Sequence, residues 1–292
     1  MQEIIAKYSL RITFKPNVED PSRIFKSMAS LIESFKSFDS LMAKSINSKI
    51  ATKQVLEDIE KGSLVTRLID VITIDNQEIA GASFTDENIA NYVNGCRNSV
   101  IQQLSTEVKP YALVQDLRKN IESVAEQSGI QKAVTFSPPD PMLLARNVND
   151  IAGSIQPLNE EEHVYYTDDT HNAEVKKREQ IELTQIEEAI TDKSISNTIH
   201  LFLLIRRPDF LGDTKWEFKH DKQTIYAKIA DGTWLSSFKS GNVDLHPGDS
   251  IEVDLLEIAK YDKNGQVINK TSEVVKVHDI IHNTAPSAEE FL

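Results

Sequence analysis

The chain has 292 residues, of which 40% are hydrophobic and 26% charged, with a formal net charge of −13. The length suggests two domains and the balance an ordinary soluble globular protein. No run of 18 apolar residues is present, which excludes a transmembrane helix, and a lone Cys96 excludes an internal disulfide or a cysteine zinc cage.

The start, MQEIIAKYSLRITF, lacks the basic lead and apolar core of a secretory signal, so the expected setting is cytoplasmic. Residues 3–14 alternate as a strand, with Ile4, Ala6, Tyr8, Leu10, Ile12 and Phe14 on the apolar face. Asp20 as cap and Pro21 at the first helical position predict a helix whose buried stripe is Ile24, Met28, Leu31, Ile32, Phe35, Phe38 and Met42. The stretch IEKGSLVTRLIDVI poses a choice between a phosphate loop and a hairpin. A phosphate loop needs glycine five residues ahead of a Gly-Lys-Ser/Thr step; here Lys61 precedes Gly62 and no earlier glycine is near. The β-branched flanks favour a hairpin turning at Lys61-Gly62. Thr85 caps a second helix with Ile89, Val93, Cys96, Val100 and Leu104 inward, which makes Cys96 a buried thiol rather than a nucleophile. A third helix follows Pro110 and stops at Gly129, and a fourth starts at Asp140-Pro141 with Leu144, Val148, Ile151 and Ile155 as its face.

The acidity is local. Residues 157–192 hold eleven Asp/Glu against three Lys/Arg, while both flanks are nearly balanced, which excludes duplex DNA binding through a broad basic face. Residues 157–194 are expected to be an exposed acidic linker containing at most a short helix or strand pair. Beyond it, NTIHLFLLIRRPDF, TKWEFKHD, QTIYAKIADGTWLSSF, DSIEVDLLEIAKYD and VINKTSEVVKVHDII read as strands separated by turn residues. The expected organisation is therefore α+β: residues 1–156 as strand, helix, hairpin and three helices; the linker; residues 195–283 as a small OB-like or SH3-like barrel or sandwich; and a flexible tail over 284–292.

Two constellations bear on chemistry. Phe202, Phe210, Trp216, Phe218, Tyr226, Trp234 and Phe238 are interleaved with Arg206, Arg207, Lys215, Lys219, Lys222 and Lys228. Exposed rings beside cations would stack and track a single nucleic-acid strand, with Trp216, Trp234, Arg206, Arg207, Lys215 and Lys219 as the contact residues; the alternative is that the rings fill a barrel core. His278 and His282 are four apart, but along a strand that spacing is roughly 13 Å, too far for one ion. No metal site and no cofactor is expected, and no catalytic motif is present. The ending, Glu289, Glu290, Phe291 and Leu292, is similar to acidic-apolar docking tips.

The Ile59, Glu60, Gly62, Ser63 and Leu64 step, followed by helices and a terminal β module, resembles uncharacterised bacterial proteins encoded among phage-defence and mobile-element genes. The resemblance implies a role with a partner in a multi-gene antiviral system. The leading expectation is thus a non-enzymatic binding or assembly protein that contacts another protein or itself, away from membranes. The alternative is single-stranded nucleic-acid or nucleotide binding by the β domain, and after it an enzyme with a site assembled from distant residues.

Overall fold

The computed structural model describes residues 2–15, 17–60, 64–74, 85–106, 109–133, 135–210 and 214–283. The chain divides into two units, Met1–Ala189 and Ile190–Leu292.

In the first unit, β1 (Gln2–Thr13), α1 (Ser22–Ile46), β2 (Ala51–Glu60), β3 (Leu64–Ile74), α2 (Asp86–Leu104), α3 (Pro110–Gln127), α4 (Pro141–Ser154), β4 (His163–Thr167), β5 (Asn172–Val175) and α5 (Leu183–Ile190) follow in order. The five strands form an antiparallel sheet in the order β2-β3-β1-β4-β5. The alternation in β1 carries through: Ile4, Ala6, Tyr8, Leu10 and Ile12 are buried, and only Phe14, past the strand end, is exposed. Leu31, Phe35, Phe38 and Met42 of α1 are buried as well. Phe35 stands 6.0 Å from the Tyr8 ring and 5.9 Å from that of Tyr166, ring contacts that add about 0.5–1.5 kcal/mol each to area burial.

Local signals fix most helix ends. Thr85 accepts the Asn88 N–H at 3.2 Å and Asn88 returns the bond at 2.9 Å, satisfying two end groups at once. Asp140 accepts the Leu143 N–H at 2.9 Å, with Pro141 opening α4. Asp20 is a correction. Pro21 occupies the cap position of α1 without a side-chain bond, and Asp20 sits one residue too early, its carboxylate accepting the Ser22 hydroxyl at 2.6 Å. α2 and α3 approach closely at Gly95, where an added Cβ would lie 2.6 Å from Val124 Cγ1.

The hairpin forms: β2 and β3 pair antiparallel from Ala51↔Thr73 to Glu60↔Val65. Its turn at Lys61-Gly62 lies outside the described residues. The acidic segment does contain the strand pair its sequence allows, but it belongs to the first sheet rather than to an exposed linker. β4 pairs with β1 from Ser9↔Thr167 to Thr13↔His163, and β5 pairs with β4. Val164 and Tyr166 are buried while His163, Tyr165 and Thr167 face outward. Two inward positions suffice for a five-residue strand held between β1 and β5, and the surrounding carboxylates mask them in a composition window.

Beneath the sheet lies a buried ionic cluster. Arg97 is fully buried and donates from Nε (2.8 Å) and Nη2 (3.1 Å) to Asp39, from Nη1 to Asn94 at 2.6 Å, and from Nη2 to Asp70. Its guanidinium also packs 4.1 Å from the Tyr8 ring centroid. One cation thus faces two buried carboxylates. Burial first, and then the Asp39 charge, push the Asp70 carboxyl up to about 8.

In the second unit, β6 (Lys193–Arg207), β7 (Trp216–His220), β8 (Gln223–Ile229), α6 (Gly232–Lys239), β9 (Ser250–Tyr261) and β10 (Val267–Ile281) close into a barrel in the order β10-β8-β7-β6-β9, with β9 returning to β10. Numbered within the unit, the order is 1-2-3-5-4-1. The third and fifth strands pair parallel at Glu273↔Lys228 and Val274↔Ile229, and a helix connects the third to the fourth. That is the Greek-key connectivity of the OB fold. The segment TWLSSF, expected to continue a strand, is α6: Asp231 accepts the Trp234 N–H at 3.1 Å and starts the helix. The same carboxylate accepts the Val277 N–H at 3.2 Å and pairs with Lys276 at 3.1 Å, so it ties α6 to β10. Burial opposes its ionisation, but these donors outweigh burial and hold it below the usual carboxylate range.

Candidate functional site

Strand parity divides the barrel's aromatics into two sets. Trp216 and Phe218, two apart on β7, both point inward, and Trp216 is 1% exposed. Phe238 of α6 packs 5.0 Å from Trp216, and Trp234 stacks on Phe238 at 5.6 Å with the planes 3° apart. Trp216 is therefore a core ring and cannot stack on a base. Trp234 is half-buried against the same core, so the expectation of nucleic-acid contact is corrected for Trp216 alone. The alternation Trp216–Glu217–Phe218–Lys219 carries this information; a count of rings and cations conceals it.

The outward set is different: Tyr226 is 54% exposed, Phe202 49% and Phe210 63%. Tyr226 lies directly opposite Glu217 in the β7–β8 ladder, and Lys219 is opposite Thr224. Lys219, Thr224, Tyr226 and Lys228 are all exposed and share this outer face by parity. Of the expected cations, Arg207 donates from Nε to Glu217 at 2.8 Å, and Arg206 Nε lies 3.9 Å from the same carboxylate. Lys215 and Lys219 are exposed. The outer surface of β7 and β8 thus presents one ring, a flanking pair of lysines and an arginine–glutamate pair.

The barrel also gathers histidines that are distant in sequence. His200 on β6 lies directly opposite Asp254 on β9. Its Nδ1 is 2.7 Å from Asp254 Oδ1 and its Nε2 is 2.8 Å from Glu252 Oε1. From the other side, His278 Nε2 of β10 lies 2.9 Å from Asp254 Oδ2. The ladder between β9 and β10 shifts register between Val277 and Asp279; this bulge turns His278 toward Asp254. The bonds from Asp254 and then Glu252 favour the protonated His200 ring, and the rings in turn lower the Asp254 carboxyl.

A second group is different in kind. His282 Nδ1 is 2.9 Å from Asp249, which also accepts the His246 N–H at 2.8 Å and the Asn283 N–H at 2.9 Å. Asp249 is buried, and its oxygens are engaged in closing the loop before β9 onto the end of β10. His278 and His282 consequently serve separate clusters, in keeping with their spacing. In the first unit, His163 pairs with Glu174 and His171 with Asp168, while Cys96 is fully buried and burial pushes its thiol far up. The tail residues Glu289, Glu290, Phe291 and Leu292 lie outside the described residues.

No protein-family model matches this chain, and neither does any curated protein or solved structure. No helix among the described residues is long and apolar enough to cross a membrane.

Proposed function

We propose that the chain is a binding protein whose C-terminal barrel takes a short single strand of nucleic acid across the outer face of β7 and β8. One observation supports this reading above the others. An OB-ordered barrel carries a half-exposed ring, Tyr226, on its second-and-third-strand face, with Lys219 and Lys228 on the same face. That face is the one OB barrels use for oligonucleotides. A base stacked on the ring contributes about 1–3 kcal/mol, and the lysines follow the backbone. Because the cations are few and Glu217 already engages Arg207, binding is weak and modestly salt-dependent: about three contacts give a log–log slope near −2. The test is fluorescence anisotropy of a labelled oligothymidylate at low salt. Tyr226→Ala is expected to weaken binding by about 5–150-fold, the equivalent of one stacked base. No binding by the wild type, or equal binding by the variant, rejects the reading.

Assembly through protein contacts is the second reading, and a separate observation favours it. Beside β2, an edge strand of the first sheet, a groove of about 490 Å³ is lined by Phe25, Met28, Ile32, Leu56, Leu64 and Leu68, among others. Phe25 and Leu56 are exposed. An apolar groove next to an open strand edge suits strand addition. The occupant we name is a second copy of the chain, since its own β2 brings an exposed apolar residue to the same edge. Sedimentation velocity of wild type and Leu56→Lys is the check. A monomeric wild type at high concentration, or a variant that dimerises equally well, removes this reading.

A further inference from the structure

We infer that the outer surface of β6, β9 and β10 is a binding site for a borderline divalent transition ion of the Zn²⁺ class, with His200, Asp254 and His278 as ligands and Glu252 as the carboxylate that orients His200. The four residues come from three adjacent strands with β9 in the middle. One donor atom from each of His200, Asp254 and His278 lies within 4.8 Å of the others. Metal bonds of about 2.0–2.1 Å in tetrahedral geometry place neighbouring donor atoms about 3.3 Å apart. The present hydrogen-bond distances of 2.7 and 2.9 Å therefore open by about half an ångström around an ion, and the two histidines are exposed enough to rotate by that amount.

The arrangement is better suited to an ion than to protons. Both ring nitrogens of His200 face carboxylate oxygens, Asp254 at 2.7 Å and Glu252 at 2.8 Å, and no neutral tautomer offers a donor to both. A second imidazole, His278, lies 5.1 Å from it, centroid to centroid, and shares the same Asp254. An ion held by His200 Nδ1, Asp254 and His278 Nε2 replaces the bridging protons. It leaves His200 Nε2–H donating to Glu252, the carboxylate–histidine–metal relay that fixes ring tautomer and orientation. Two imidazoles and one carboxylate select zinc, copper or nickel over calcium or magnesium. Three protein ligands leave a fourth position open to water or to an exogenous anion. Among the described residues no backbone N–H bonds to Asp254, whereas Asp249 in the other histidine group accepts two.

The test uses the full chain, stripped with chelator and dialysed, and titrated with ZnCl₂ by calorimetry. One equivalent is expected to bind in the wild type. Binding should weaken by more than about 10-fold in His200→Ala and in His278→Ala and stay unchanged in His282→Ala. Glu252→Gln should weaken it by about 10–100-fold, the loss typical of an orienting carboxylate. All the altered positions lie on the barrel surface, so unchanged tryptophan fluorescence certifies the fold of each variant. Co²⁺ gives an independent reading through its visible absorption, which should be lost in the same two variants. No wild-type binding, binding indifferent to His200 and His278, or binding lost through His282 alone overturns the assignment.

Discussion

Replacing Asp70 by asparagine tests how the buried cluster beneath the first sheet holds its charge. Asp70 and Asp39 face a single guanidinium, Arg97, with no solvent around them. A carboxyl pushed up to about 8 stays protonated in the native state, while in the unfolded chain it loses its proton near pH 4. Over that window the native state binds more protons than the unfolded state, so stability falls as pH rises from about 4 to about 8. Each pH unit is worth about 1.36 kcal/mol, which makes about 4 kcal/mol between pH 5 and pH 8. Movement of Arg97 toward the newly ionised Asp70 recovers part of this, and about 2–4 kcal/mol is the expected net loss, a large share of the ~5–15 kcal/mol that holds a typical domain. In Asp70→Asn the amide N–H replaces the acid proton, and the pH-dependent contribution disappears. The variant should match the wild type near pH 5 and exceed it near pH 8. Both tryptophans are in the barrel and α1 to α4 are all in the first unit, so urea unfolding followed by far-UV circular dichroism isolates the relevant transition. Parallel pH profiles for the two proteins would mean that Asp70 is ionised throughout, and the reasoning fails.

Three further perturbations follow from the packing. Gly95→Ala drives a methyl into Val124; overpacking of about 1–3 kcal/mol should lower the helical melting transition by roughly 2–4 °C per kcal/mol without altering tryptophan fluorescence. Trp216→Ala removes the largest ring of the barrel core and should cost about 3–5 kcal/mol in the barrel's denaturant transition, whereas Tyr226→Ala, on the outer face, should stay within about 0.5 kcal/mol of wild type. Asp231→Ala strips the cap of α6 and the acceptor for Val277 N–H; a loss of about 1–2 kcal/mol, read by Trp234 emission during urea unfolding, is expected, and Asp231→Asn should restore part of it.

What the sequence reveals here depends on how far apart the interacting residues are. The β1 face, the Thr85 and Asp140 caps and the hairpin rest on residues within a few positions of one another, and each reads correctly. The barrel is legible from turn residues and alternation, because every strand announces its own face. α6 is not: Asp231 capping Trp234 looks like a strand continuing through a Gly-containing turn until the bond to Val277 from β10 is known. A strand pair in the acidic segment is allowed by its sequence, but its union with the sheet of β1 is not legible, because its buried positions are few and β1 lies at the other end of the unit. The His200–Asp254–His278 group is assembled by strand order and by a bulge, and nothing at the level of local spacing encodes either. The inward set of Trp216 and Phe218 was always present in the alternation of β7, whereas composition merges those rings with the outward Tyr226.

The join between β1 and β4 also bears on how the chain is made. Ser9 and Thr167 sit side by side in the finished sheet, 158 residues apart in the chain. At roughly 5–20 residues per second of synthesis, β1 emerges about 8–30 s before the strand that completes it. During that interval one flank of β1 stays unpaired, with Arg11 and Lys7 among its outward residues. Those cations discourage like strands on neighbouring ribosomes from pairing. Slowing translation between β3 and β4 lengthens this exposure, so the yield of folded protein should depend on codon choice in that interval more than on codon choice in the barrel.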